Sequence, residues 1–134
     1  MDVLKFSSIE AVSQYLGDLI GKRVEIDERN IIQAIQKKDK RLVKELLEAG
    51  VQPDSDNLSF AVYKESKAIV KLLLGKGVIP NDNSFYSIID KRNKVSKEIL
   101  RLLLDTGEKP KDKHLKEAMK TKDKEIIEMI KQAM

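Results

Sequence analysis

His114 is the one histidine of the chain, and cysteine is absent. A zinc site would therefore rest on carboxylates alone, and thiolate chemistry is excluded. With no second ligand or base at a recognisable spacing, His114 is expected to be an ordinary surface side chain. Asp54, Asp56 and Glu65 come nearest to a calcium loop, because Glu65 is twelfth counting from Asp54. Leu58, however, stands where the third ligand belongs, and Ser59 stands where the loop needs glycine for its turn. Asp56 reads better as a helix cap. Gly75-Lys76-Gly77 has the composition of a phosphate loop, but it follows an apolar helical run and so closes a helix where a phosphate cradle opens one. No serine or carboxylate has a partner base at a recognisable spacing. The residues point away from catalysis and from any cofactor or metal, and toward work done by a surface.

The charge pattern supplies one such surface. Lys37, Lys38, Lys40 and Arg41, then Lys64 and Lys67, then Lys91, Arg92, Lys94 and Lys97, and finally Lys120, Lys122 and Lys124 fall in four short polar stretches that hold half of the 26 basic residues. The chain as a whole carries only +4. If the four stretches are equivalent turns they form one basic edge, able to steer an acidic protein or touch phosphates. No aromatic residues are interleaved for base stacking, which ranks nucleic acid below protein as a partner.

The elements that must position this edge are legible as a repeat. Val43-Lys-Glu-Leu-Leu-Glu-Ala-Gly50-Val-Gln-Pro53 aligns without gaps on Val70 to Pro80 and on Leu100 to Pro110, using all three prolines of the chain at one position. A truncated copy, Ile127 to Met134, stops where the glycine would come. The anchors Val43, Val70, Leu100 and Ile127 are 27, 30 and 27 residues apart, and Ala34, Ala61, Ile88 and Ala118 precede them in a first helix. The third copy carries three extra residues, most simply placed in the Lys91 to Lys97 turn. Each unit reads as two short helices closed by Gly in the left-handed conformation, with Pro just beyond. A single pair cannot cover its own apolar side, so neighbouring pairs must stack.

The blocks Leu46-Leu-Glu-Ala-Gly-Val-Gln-Pro53 and their copies resemble the end of the second ankyrin helix with its following turn, and Ala34 and Ala61 resemble the alanine of the inner helix. The likeness covers about residues 28–134. The family's Thr-Pro-Leu-His opening is replaced by Arg29-Asn-Ile-Ile, Asp56-Asn-Leu-Ser, Asn83-Ser-Phe-Tyr and Lys113-His-Leu-Lys. The period is shorter than the usual ~33 residues, which leaves room for a turn in place of the projecting hairpin. The resemblance implies an all-α, ankyrin-like solenoid of antiparallel helix pairs, with repeats at about 28–54, 55–81, 82–111 and 112–134. Residues 1–27 stand outside it. There Ser7-Ser-Ile-Glu10 has the capping-box pattern, and Ile9, Val12, Tyr15, Leu16, Leu19 and Ile20 follow helical spacing up to Gly21, as in an N-terminal capping helix.

A second surface follows from the first helices, where the residues just before and two after the aligned small residue should face outward: Gln33 and Gln36, Phe60 and Tyr63, Ser87 and Asp90, Glu117 and Lys120. Aromatics make up only 4% of the chain, so Phe60 and Tyr63 on a polar groove have the composition of an interface hot spot. The expected function is a non-catalytic protein–protein interaction module that binds a partner, acidic where it meets the basic edge, through the inner-helix face. The alternative is a nucleic-acid-associated or nuclease-inhibiting factor using the Lys/Arg edge, and pairing with a copy of itself stays open. No apolar run approaches the ~18 residues that span a bilayer and no secretory leader is apparent, so no membrane partner and a cytoplasmic location are expected.

Overall fold

The chain was described from a computed structural model, which places residues 28–134; the capping helix expected in residues 1–27 lies outside the described residues. The described residues are all-helical: α1 (Glu28–Gln36), α2 (Lys40–Glu48), α3 (Ser55–Tyr63), α4 (Lys67–Gly75), α5 (Asp82–Ile89), α6 (Lys94–Leu104), α7 (Asp112–Thr121) and α8 (Lys124–Ala133). Each odd-numbered helix packs on the even-numbered helix that follows it. In addition α1, α3, α5 and α7 pack on one another in succession, as do α2, α4, α6 and α8.

Helices of about three turns are marginal alone, and packing of their apolar stripes sustains them. In the first helices Ile31, Leu58 and Phe85, then Ala34, Ala61, Ile88 and Ala118, then Ile35, Val62 and Ile89 are buried at matching register. In the second helices Ile69, Ile99 and Ile126, with Leu46, Leu73, Leu103 and Ile130, do the same. At the last unit the pattern opens: Met119, at the register of Val62 and Ile89, is 55% exposed, and among the described residues no further first helix stacks on α7.

The starts and stops have local causes. Gly50, Gly77 and Gly107 take φ of +102°, +85° and +91°. After α2 and α4 the glycine N–H donates to Leu47 and Leu74 O, and the next N–H, from Val51 or Val78, donates to Leu46 or Leu73 O, the Schellman closure. In the third copy Glu108 replaces that valine, and its N–H turns to Thr106 Oγ1 instead.

The turns inside each pair use the same closure without glycine. Lys38, Glu65, Arg92 and Lys122 have φ of +55°, +56°, +55° and +59°. The residue after each, Asp39, Ser66, Asn93 or Asp123, is the N-cap of the next helix. The cap therefore falls five residues past the aligned small residue, Ala34, Ala61, Ile88 or Ala118, in all four copies. The three extra residues of the third copy do not lie in the turn. They lengthen α6 at its N-terminus by about one turn, Lys94 to Ser96, since Asn93 already caps the helix.

Helix entry is equally explicit. Asp54 and Asn81 cap α3 and α5, and the side chains of Asn57 and Ser84 accept in return from the cap N–H groups at 2.9 and 3.2 Å. The cap of α3 is thus Asp54, and Asp56 lies inside the first turn, because Asp54 has the extended backbone a cap requires.

Candidate functional site

Gln33, Phe60, Ser87 and Glu117 share one register position of the first helices, and Gln36, Tyr63, Asp90 and Lys120 share the position three residues on, so the two sets lie on one face, a turn apart. Gln33, Gln36, Asp90 and Lys120 are exposed, as is Tyr63 at 56%. Phe60 is half-buried and leans on the core, while Ser87 and Glu117 are half-buried and polar. Ser87 Oγ donates to Asn83 O at 2.7 Å, which turns it back along its own helix.

Lysines cover this face. Lys91 Nζ sits 4.6 Å from the centre of the Tyr63 ring, reaching across from the next unit, and Lys64 Nζ lies 5.9 Å from that of Phe60. Such contacts hold a ring upright at a cost to the free cation of little more than its mobility, and contribute about 0.5–1 kcal/mol at an exposed site. Lys120 pairs with Glu117 at 2.9 Å. That hydrogen bond first, then the charges of Glu117 and of Asp90, raises the Lys120 ammonium above the usual lysine range.

The basic edge divides into two physical groups. Lys37, Lys38, Lys64, Lys91, Arg92, Lys120 and Lys122 stand at or just past the C-terminal ends of the first helices, where the helix dipole favours a cation. Lys40, Arg41, Lys67, Lys94 and Lys124 stand at the first turns of the second helices, where it disfavours one. Counter-charges hold part of the edge: Lys67 pairs with Glu98 at 2.8 Å, and Lys97 with Asp123 and Glu125, each at 3.0 Å. Arg92 Nη1 donates to Thr121 O at 3.2 Å. Lys40 has no such pair among the described residues, because Ala68 occupies the register at which Glu98 and Glu125 meet Lys67 and Lys97.

His114 is fully buried, in contrast to the surface position expected for it. It is the third residue of α7 and plays the part of Asn57 and Ser84: its Nδ1 accepts from the Lys111 N–H at 2.9 Å. Its ring packs against Phe85 and Tyr86, with centroids 5.1 and 4.8 Å away. Burial lowers its pKa, against the opposing pull of Asp82, whose Oδ1 is 3.7 Å from Nε2. Asp82 is itself held by Lys113 and Lys111. The His114 Nδ1 thus serves as the capping acceptor at the start of α7. No group of three or more His, Cys, Asp or Glu side chains is placed to hold a metal among the described residues, and no helix among them is long and apolar enough to cross a membrane.

Basic side chains one residue beyond the anchors, Lys44, Lys71 and Arg101, did not stand out from the turn pattern. They occupy one register of α2, α4 and α6, and alignment on Val43, Val70 and Leu100 would have found them. No family model, curated protein or solved structure matches the chain.

Proposed function

We propose that this chain is a non-catalytic protein-recognition module, a stack of ankyrin-like helix pairs that meets its partner through the exposed face of the first helices. The observation that carries the reading is Tyr63, 56% exposed on a polar face and held by Lys91 from the neighbouring unit. A large, rigid ring with a hydroxyl handle is the side chain that interface centres favour, because it buries much area at little cost in rotamer freedom. The succession of first-helix contacts supports a continuous face, from Gln33 and Gln36 through Tyr63 to Asp90 and Lys120. The cationic turns at its margin fit a partner with acidic groups at the rim, where charge steers encounter more than it adds affinity.

The test is affinity capture from a lysate of the source or its host, with Tyr63→Ala beside the wild type and half of each sample treated with nuclease. Tyr63 is preferable to Phe60, whose ring also supports the core. A discrete protein retained after nuclease and lost with Tyr63→Ala supports the reading. Retention that vanishes with nuclease would replace it with the nucleic-acid alternative through Lys37, Lys38, Lys40 and Arg41, which are exposed and make no ion pair among the described residues.

A further inference from the structure

The second helices carry a basic surface of their own. A groove of about 570 Å³ lies between α4 and α6 and reaches Glu125 of α8. Lys67, Lys71, Lys94, Lys97 and Arg101 line it, with Leu102 as its apolar side. A smaller groove of about 260 Å³ between α2 and α4 shares Lys71 and adds Lys44, Lys76, Leu47 and Leu72. The two therefore adjoin at Lys71. Leu72 and Leu102 are half-buried and rest on the core.

Three features set this surface apart from ordinary solvated lysine. First, Lys40, Lys67, Lys97 and Lys124 stand at one register and Lys44, Lys71 and Arg101 four residues on, so the charges form two columns on one side of successive helices. Second, Lys67 and Lys94 open their helices, where each cation opposes the helix dipole and an acid would be the favoured residue. Third, the extra turn of α6 sets Lys94, Lys97 and Arg101 at i, i+3 and i+7, which extends the basic rim along the groove.

Three acids, Glu98, Asp105 and Glu125, also line the groove. Glu98 is engaged by Lys67 and Glu125 by Lys97. Lys71, Lys94 and Arg101 make no ion pair among the described residues, so the positive excess stands free beside the leucines. The hydrogen bond from Lys67, then its charge, keeps the Glu98 carboxyl below the usual range, so this acid is already matched to one cation of the groove.

We propose that the α4–α6 groove binds a segment of a partner protein in which carboxylates flank an apolar side chain, the acids meeting Lys71, Lys94 and Arg101 and the apolar group meeting Leu102. A peptide is favoured over nucleic acid because none of α2, α4, α6 and α8 carries an aromatic ring on which a base could stack. This site goes beyond the first-helix face and does not require it.

Fluorescence anisotropy of the full chain tests it, with a labelled short peptide of alternating Glu and Leu, the same peptide with Gln for Glu, and labelled oligothymidylate. The Glu peptide should bind saturably and the Gln peptide should not. Lys71→Glu/Arg101→Glu should weaken binding about tenfold or more, whereas Lys109→Glu/Lys116→Glu, the same charge change outside the groove, should weaken it less than about threefold. Lys94→Gln, at an exposed helix start, gives a milder loss of about threefold in a variant whose fold is secure by circular dichroism. Absence of saturable Glu-peptide binding, equal weakening by the two double variants, equal binding of the Gln peptide, or preference for oligothymidylate would each overturn the proposal.

Discussion

Replacing Lys38 with glycine should stabilise this protein, although glycine is the poorest ordinary helix former and Lys38 sits between two helices. Lys38 holds φ of +55°. Its N–H donates to Ile35 O at 2.9 Å and the next N–H, from Asp39, to Ala34 O at 3.0 Å, so the closure cannot relax without losing both bonds. An L-residue in the left-handed region costs roughly 1–2 kcal/mol, which glycine removes. Glycine in turn gives the unfolded chain more freedom, worth roughly 0.4–1 kcal/mol. The Lys38 side chain is exposed and has no ion pair among the described residues, so nothing else is lost. The net is a gain of about 0.5–1 kcal/mol. With m near 2 kcal/mol/M for a chain of this size, the urea midpoint read by circular dichroism should rise by about 0.3–0.5 M at unchanged slope. Lys116→Gly, inside α7, is the control and should cost about 1 kcal/mol. Glu65→Gly should come out near zero, because Glu65 Oε1 also accepts from Asn93 Nδ2 at 2.6 Å. If Lys38→Gly destabilised as Lys116→Gly does, the left-handed turn would be refuted.

Lowering the pH from about 7 to about 5 should destabilise the wild type. The His114 pKa is depressed in the folded state, so the unfolded chain takes up the proton first; the contribution is complete above the unfolded value near 6.5 and is lost as pH falls below it. His114→Asn keeps an acceptor for the Lys111 N–H and should flatten that dependence in urea titrations at a series of pH values. Tyr63→Ala should change stability by less than about 0.5 kcal/mol, whereas Phe60→Ala should cost about 1–3 kcal/mol, the ring resting on the core; paired thermal melts distinguish them. Deleting Lys94, Val95 and Ser96 should leave a folded helical chain, since Asn93 would then cap a helix starting at Lys97 as Ser66 precedes Lys67; loss of the cooperative melt would contradict this.

Much of the fold was legible because its signals are local and repeated. The paired leucines, the glycine three residues past the last of them and the proline beyond it mark the first three second helices from their own chemistry. The left-handed Lys38, Glu65, Arg92 and Lys122 were not legible, since nothing in a lysine or an arginine announces positive φ when packing on both sides forces it. The same holds for the extra residues of the third copy. Lys94-Val95-Ser96 is polar enough to read as turn, yet Asn93 and Ser96 exchange capping bonds at 2.8 Å and draw the segment into α6.

His114 shows the limit most plainly. A lone histidine among lysines reads as surface, but as the third residue of α7 it folds back on the Lys111 N–H and slides beneath Phe85 and Tyr86. The candidate faces were legible in composition and only partly in geometry. The exposed Tyr63 was expected, while the pairing of Lys67 and Lys97 with acids of the next unit depends on contacts 31 and 28 residues apart in sequence.

The central claim is that the exposed face of the first helices recognises a protein. Its most direct test is photo-crosslinking in a lysate, with a photoreactive phenylalanine analogue at Tyr63 and, as a control, at Lys109 on an exposed loop. The account predicts a discrete protein adduct from position 63 that survives nuclease and is missing from position 109. Adducts of equal pattern from both positions, or none from position 63 beyond nucleic acid, would contradict it.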